Sequence, residues 1–549
     1  MANPLFADSL TVKVDSLFVK WNKPDSPGCA LAIIKDHEMI YARGYGSANL
    51  EYNLPITSKS VFRIGSTSKQ FTAMCILLLA EQGKLALDDD IRKHVPEMPD
   101  YGTLITISHL IHHTSGIRDY LTLMELAGLR NDDFLIDDEV IDLIARQKEL
   151  NFKPGDEYLY SNSGYFLLSV IVKRASGKSL REFADEHIFK PLGMAYTHFH
   201  DDHRMVVKNR ASGYSPKKDG GFRINMTTLD MVGDGGVFTT VEDMAKWERN
   251  FYQNKLGRSG QDLIDKMLVQ GVLNSGDTLD YASALVISDY KGLKMVSHGG
   301  AFVGFRAEMV RFPGQKFSVI CLANLSAFQP SQLARQVADI YLKDQFAPGV
   351  QKEMAETTKP PQFVELSSAD LQKCVGTYRN PANGRILKIF FENGELTLDA
   401  GGENQFHIRP ESDTAFRTFE APVKLHIIFE KQTPGKPDLM HVRRAGRQPS
   451  TYQAIKVWIP AQTLLDECAG AYFSDELRAT YHVVVKDGGL YLVHENPHKN
   501  YPKEALEPTL QDMFYVAGIE VKFTRNAQAQ LSGLTLNTGR VKNIQFVKK

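Results

Sequence analysis

Ser66 and Lys69 stand three residues apart at the head of a long apolar stretch, Gln70 to Gln82. On a helix, side chains at i and i+3 share one face, so this hydroxyl comes within reach of this amine. At a helix N-terminus, in a dry setting, an ammonium is disfavoured by both the helix dipole and desolvation. A neutral lysine can take the serine proton, which makes the serine a usable nucleophile. The S-x-x-K spacing alone carries little, because Ser215-Pro-Lys-Lys218 and Ser288-Asp-Tyr-Lys291 also fit it. Neither of those opens an apolar helix. The competing reading of Ser66 is a helix-capping serine.

Two more groups carry chemistry. Tyr160-Ser-Asn162 follows a turn at Phe152-Lys-Pro-Gly155 and precedes a helix expected over 164–175. A polar pair on a loop between rigid elements is a common site arrangement. Tyr252-Gln-Asn254 and Tyr378-Arg-Asn380 share the Y-x-N spacing, but one lies late in a surface helix and the other in a repeated tail. Ser297-His298-Gly-Gly300-Ala301 falls between a strand expected to end at Val296 and another starting near Val303. Its two glycines permit close approach of a backbone.

These groups need elements to hold them. Gln70–Gln82 is apolar almost all round, which predicts a buried helix stopped at Gly83. Further helices are expected near 138–147, 181–187, 240–253 and 331–344. A hairpin is expected over 30–44, and strands at 282–288, 293–297, 303–311 and 317–322. Strands at both ends with helices between point to an α/β (α+β) layer whose sheet is completed by the two ends of the region. Asp88-Asp-Asp90 and Thr240-Val-Glu-Asp243 read as helix starts. His198-Phe-His200-Asp-Asp-His203 has the residue density of a metal site, but it reads as a surface loop.

Around 346–364 the chain turns Pro-rich and polar, the best linker. Beyond it helical signals nearly vanish, and the text repeats itself. Leu371-Gln-Lys-Cys374-Val-Gly376-Thr-Tyr378 aligns with Leu465-Asp-Glu-Cys468-Ala-Gly470-Ala-Tyr472 at an offset of 94, which Gly394/Gly488, Leu396/Leu490 and Leu398/Leu492 keep. That period is too long for a solenoid and predicts two similar β-barrels, residues 365–458 and 459–549, after a first domain at 1–345.

Composition bounds the rest. Over 549 residues, 64 Lys plus Arg against 65 Asp plus Glu leave a net charge of −1, which argues against binding nucleic acid through bulk positive charge. No apolar run reaches the length of a membrane span. The five cysteines are scattered without a CxxC pair, which disfavours a disulfide framework or zinc ribbon. The N-terminal residues read without a signal peptide. A cytoplasmic protein is expected, or a periplasmic or secreted one if a leader has been removed.

Taken in this order, S-x-x-K at Ser66, Y-x-N at Tyr160 and H-G-G at His298 resemble the serine β-lactamase and penicillin-binding-protein superfamily, whose class A members carry S-x-x-K, S-D-N and K-T-G. The Y-S-N form is similar to the branch of class C β-lactamases, DD-peptidases and family VIII esterases. His113-Thr-Ser-Gly116-Ile, Phe152-Lys-Pro-Gly155, Pro191-Leu-Gly-Met194 and Gly235-Gly236-Val-Phe-Thr239 look familiar too. Within the superfamily the chain most resembles D-aminopeptidases, which join these three motifs to two lipocalin-like C-terminal barrels. Ser68-Lys-Gln-Phe-Thr72, Ser115-Gly-Ile-Arg118-Asp-Tyr120 and Ser474-Asp-Glu-Leu477 strengthen that likeness.

The resemblance implies a β-lactamase/transpeptidase-like domain with an antiparallel sheet and a helical region. It also implies a serine hydrolase that acts through an acyl-enzyme on a small peptide or amide. Ser66 would attack, and Lys69 and Tyr160 would share the acid and base work. Asn162 would orient Lys69 and bind substrate, and the backbone N–H groups of Ser66 and Ala301 would form the oxyanion hole. His298, Gly300 and Ala301 would line the substrate. No cofactor and no metal are implied, and self-association into a homo-oligomer stays open. His298 stands where most relatives have K-T-G or H-T-G. A histidine there is mostly neutral at pH 7, which suits amine-terminated or ester substrates better than a carboxylate; its competing reading is a hydrogen-bonded strand histidine. The alternatives are a promiscuous family VIII-type carboxylesterase or weak β-lactamase, and a non-enzymatic binding or assembly protein on the same fold.

Overall fold

A six-stranded sheet carries the first part of the chain. Its strand order is Val286–Tyr290, Leu293–Phe302, Phe305–Phe312, Phe317–Ala323, Cys29–Lys35 and Glu38–Tyr45, and every neighbouring pair is antiparallel. The N-terminal hairpin thus pairs with the last of the later strands, in register from Cys29 opposite Ala323 to Lys35 opposite Phe317. The computed structural model describes residues 9–348, 363–401, 405–419, 424–430, 438–444, 449–496 and 505–549.

The central strands Cys29–Lys35 and Phe317–Ala323 are apolar without alternation and buried on both faces, as a sheet covered by helices requires. Helices Ser9–Phe18 and Pro330–Leu342 pack into one core through Val14, Phe18, Val337 and Leu342. Helix Val241–Asn250, capped by Thr240 accepting from Asp243 N, packs against strands Cys29–Lys35 and Phe317–Ala323. Its Glu248 accepts from Arg311 Nε (2.8 Å) and Ser318 Oγ (2.6 Å), and both members of that ion pair are buried.

The helical region is built on helix Lys69–Glu81, whose side chains from Lys69 to Leu79 are all buried. Each fully buried leucine in it contributes about 2 kcal/mol. Gly83, at φ +70°, caps its end, with Gly83 N donating to Ala80 O. Helix Asn162–Ser176 packs along it. Asp90 caps the short turn Ile91–Lys93 by accepting from Arg92 N at 2.9 Å.

The chain divides into two compact units, and the second holds the barrels. Eight strands between Gly376 and Ile455 close into a barrel, first against last. Eight more between Gly470 and Lys548 form a sheet whose two edge strands are bridged, among the described residues, at Leu490–Leu506. The repeat has a physical meaning: Tyr378 Oη donates to Cys374 O (2.9 Å) and Tyr472 Oη to Cys468 O (2.7 Å), so each tyrosine ties its first strand to the end of a short preceding helix. Leu396, Leu398, Leu490 and Leu492 fill the barrel interiors. Arg379 and Glu520 join the two barrels at 2.9 Å. The linker expected over 346–364 falls mostly outside the described residues, while Phe346 still packs in the sheet core. Among the described residues no helix is long and apolar enough to cross a membrane.

Candidate active site

The helix that was expected to open at Ser66 opens at Lys69, and Ser66 sits in the 3-10 turn Gly65–Ser68 that leads into it. Ser66 does not cap the helix; no side chain does so. Ser68 instead turns its hydroxyl to accept from Val237 N at 3.0 Å. The turn lies hard against strand Leu293–Phe302. A Cβ on Gly65 would fall 2.8 Å from Ala301 N, and one on Gly300 would fall 1.8 Å from Ile64 O.

Lys69 is fully buried. Its Nζ donates to Asn162 Oδ1 at 2.9 Å and to Asp234 O at 2.6 Å, and lies 3.2 Å from Ser66 Oγ. Two of these neighbours are carbonyl oxygens, which only accept. The Ser66 hydroxyl, unlike these carbonyls, can both accept from the amine and donate to it. The orientation of the Asn162 amide is set from behind, because Asn162 Nδ2 donates to Asp119 Oδ2 at 2.9 Å. The same oxygen accepts from Asn162 N at 2.7 Å. The ring of Tyr160 completes this wall, its centroid 5.0 Å from Lys69 Nζ.

Asp119 and Asp234 were not singled out as site residues. Each lies far in sequence from Lys69, so no local spacing marks it; Asp119 does fall inside the Ser115–Tyr120 string. Asp234 serves through its backbone, while its carboxylate is buried, accepts from Tyr120 Oη at 3.2 Å, and is pushed above the usual range by burial against the opposing pull of Lys69 and Arg63. Thr72 Oγ1 donates to Gly233 O at 2.7 Å and fastens this segment to the helix.

The H-G-G residues correct one expectation. They do not lie between two strands but within Leu293–Phe302, paired to Phe305–Phe312 through Phe302 opposite Phe305. At Gly300 the entry to the Gly65–Ser68 turn leaves no room for a Cβ, which is the close backbone approach the glycines permit. His298 is buried and has the features of a hydrogen-bonded strand histidine. Its Nδ1 is 2.7 Å from Gly299 O and its Nε2 3.0 Å from Tyr281 Oη. Burial lowers its pKa to about 4. It is therefore neutral at pH 7 and offers no cation.

The His/Asp-rich run is also corrected. His198 and Phe199 form a short strand paired to Val237–Thr239, and His200 is buried. Burial holds His198 and His200 at about 4 and about 3. His198 Nε2 and His200 Nδ1 lie 3.2 Å apart. His203 joins a different group, Asp202, His203 and Asp230, with ligand atoms within 4.8 Å of one another and His203 Nδ1 paired with Asp230 Oδ2 at 2.9 Å.

The beta-lactamase family model matches residues 14–342, and the chain belongs to that family. Penicillin-binding protein 4* of Bacillus subtilis is 27% identical over 69% of this chain and 85% of its own. The D-aminopeptidase of Brucella anthropi is 24% identical over 95% of both chains, barrels included. Among solved structures, the octameric penicillin-binding-protein homologue from Pyrococcus abyssi superposes with a TM-score of 0.57 at 25% identity, covering 80% of this chain and 99% of that one. The protein is a serine hydrolase of the beta-lactamase and penicillin-binding-protein kind.

Proposed function

We propose that the chain hydrolyses small D-aminoacyl amides or peptides through an acyl group carried on Ser66 Oγ. The observation behind this is the buried Lys69 amine, held by the carbonyl oxygens of Asn162 and Asp234 with its Nζ 3.2 Å from the Ser66 hydroxyl. Lys69 takes the proton as Oγ attacks; as the C–N bond breaks, Tyr160, packed against Lys69, gives its phenolic proton to the leaving amine and is reprotonated by Lys69. Water then attacks the acyl group with the same residues in reversed roles. The N–H groups of Ser66 and Ala301 receive the oxyanion, and each such donor contributes about 3 kcal/mol. Asn162, His298 and Gly300 line the substrate.

The neutral His298 supports a substrate with no carboxylate at that end. Relatives named D-aminopeptidase at full length support a free D-amino terminus. Ester hydrolysis is the second reading, since a neutral site accepts uncharged esters equally. The catalytic part is assigned to residues 1–345, the linker to 346–364, and the barrels to 365–458 and 459–549. The octameric relative supports self-association, which light scattering of the purified chain tests.

A panel of D- and L-alanine p-nitroanilides, p-nitrophenyl acetate and nitrocefin tests the substrate. The D-anilide is expected to turn over at least tenfold faster than the L-anilide, and nitrocefin slowly. Turnover of the ester alone would discard the aminopeptidase reading.

A further inference from the structure

Tyr281 has no part in the three motifs, yet its buried hydroxyl touches two histidines of the site. It lies 3.0 Å from His298 Nε2 and 3.2 Å from His113 Nε2. We propose that Tyr281 is a positioning residue: it joins His113 and His298 into one directional hydrogen-bond chain that runs from Ser161 N–H to Gly299 C=O and holds His298 as its Nδ1–H tautomer.

The direction follows from the two ends, which are backbone groups with one role each. Ser161 N can only donate, and it does so to His113 Nδ1 at 3.2 Å. That nitrogen therefore holds a lone pair, and the proton of His113 is on Nε2. His113 Nε2–H in turn donates to Tyr281 Oη. At the other end Gly299 O can only accept, so the facing His298 Nδ1 carries a proton. A buried imidazole beside Lys69 does not take a second, so His298 Nε2 is the acceptor and Tyr281 O–H donates to it. The two halves meet at one hydroxyl, which gives its single proton to His298 and accepts from His113 on a lone pair, and they agree; Tyr165, also within hydrogen-bond reach of Tyr281, sends its own proton to Ile111 O at 3.0 Å.

The chain ties the Tyr160-Ser-Asn162 loop to the His298-Gly-Gly300 strand. The His113 ring also packs on Tyr160, with centroids 4.2 Å apart, so the same chain seats the Tyr160 ring. It further leaves His298 with neither a free N–H nor a charge to offer a substrate carboxylate. This consequence for specificity rests on the function proposed above; the tautomer does not.

The test is made on the full chain labelled with 15N-histidine. Long-range 1H–15N correlations at pH 7 read the tautomer of each ring, and His298→Gln identifies the His298 signals. The expected result is a protonated Nδ1 and an unprotonated Nε2 in the wild type. In Tyr281→Phe the His298 pattern should shift toward Nε2–H or a mixture, and kcat should fall about tenfold with KM within threefold. The preference for D-alanine p-nitroanilide over D-Ala-D-Ala should narrow severalfold. An Nε2–H or doubly protonated His298 in the wild type overturns the proposal without reference to any variant or to turnover. So does a Tyr281→Phe protein with an unchanged His298 tautomer and unchanged kcat. The expected tautomer with no amide turnover would remove the substrate assignment and leave the chain intact.

Discussion

Replacing Asp119 by alanine should disable the site from a position that touches no substrate. Asp119 Oδ2 accepts from Asn162 N at 2.7 Å and from Asn162 Nδ2 at 2.9 Å, and both residues are buried. Without the carboxylate, two buried donors lose their acceptor at about 1–3 kcal/mol each, so the catalytic unit should lose about 2–6 kcal/mol of stability. The kinetic effect is separate. The carboxylate is what keeps Oδ1 of Asn162 toward Lys69 Nζ, and a turned amide would set an N–H donor against the amine. Misplacement of that order costs about 100-fold, or about 2.7 kcal/mol on the barrier. Asp119→Asn keeps an acceptor but not its charge, and should fall between, about tenfold down in kcat. Steady-state kinetics with D-alanine p-nitroanilide, with circular dichroism to confirm folding, reads both effects. KM should move less than threefold. A folded Asp119→Ala protein with kcat within twofold of wild type would refute the claim that Asp119 sets Lys69 through Asn162.

Other expectations follow from the same geometry. Gly300→Ala places a Cβ 1.8 Å from Ile64 O and should push the strand off the Gly65–Ser68 turn, lowering kcat by 100-fold or more in a protein that still melts cooperatively; near-normal kcat would remove Ala301 N from the oxyanion hole. Glu248→Ala strands the buried Arg311 and should cost about 3–5 kcal/mol in urea unfolding, and a loss under 1 kcal/mol would show that solvent reaches the arginine. His298 is held at about 4 against about 6.5 when unfolded, so the folded state binds fewer protons in that interval. Its contribution is full above pH 6.5 and is lost as pH falls toward 4, by about 3 kcal/mol. Burial holds Asp234 and Glu308 above the usual carboxyl range and works in the opposite direction, so the comparison is wild type against His298→Gln at pH 7 and pH 4.5. The wild type should lose more, and equal losses would mean His298 is not buried neutral.

The parts of this site that could be read in the sequence are those whose partners are close along the chain. Ser66 and Lys69 are three residues apart, and the apolar run behind them announces the helix. The barrels were legible because one is written twice, down to the tyrosine that reaches back to the cysteine carbonyl. What stayed hidden depends on pairing between distant segments. Asp119 meets Asn162 from 43 residues away, and Tyr281 meets His113 from 168. His113 and Asp119 lie inside strings that looked familiar, but nothing local gave them a role. The close approach at the H-G-G glycines could be read from their lack of a side chain, but not what approaches: at Gly300 it is Ile64 O at the head of the Gly65–Ser68 turn, and the strand runs on through Phe302.

The most direct test is the mass of the Ser66 peptide after the folded protein meets a fluorophosphonate probe. A single adduct on Ser66, lost in Ser66→Ala and slowed at least 100-fold in Lys69→Ala, is the expected result. An unmodified Ser66, or an adduct on another residue that persists in Ser66→Ala, would contradict the assignment of the nucleophile.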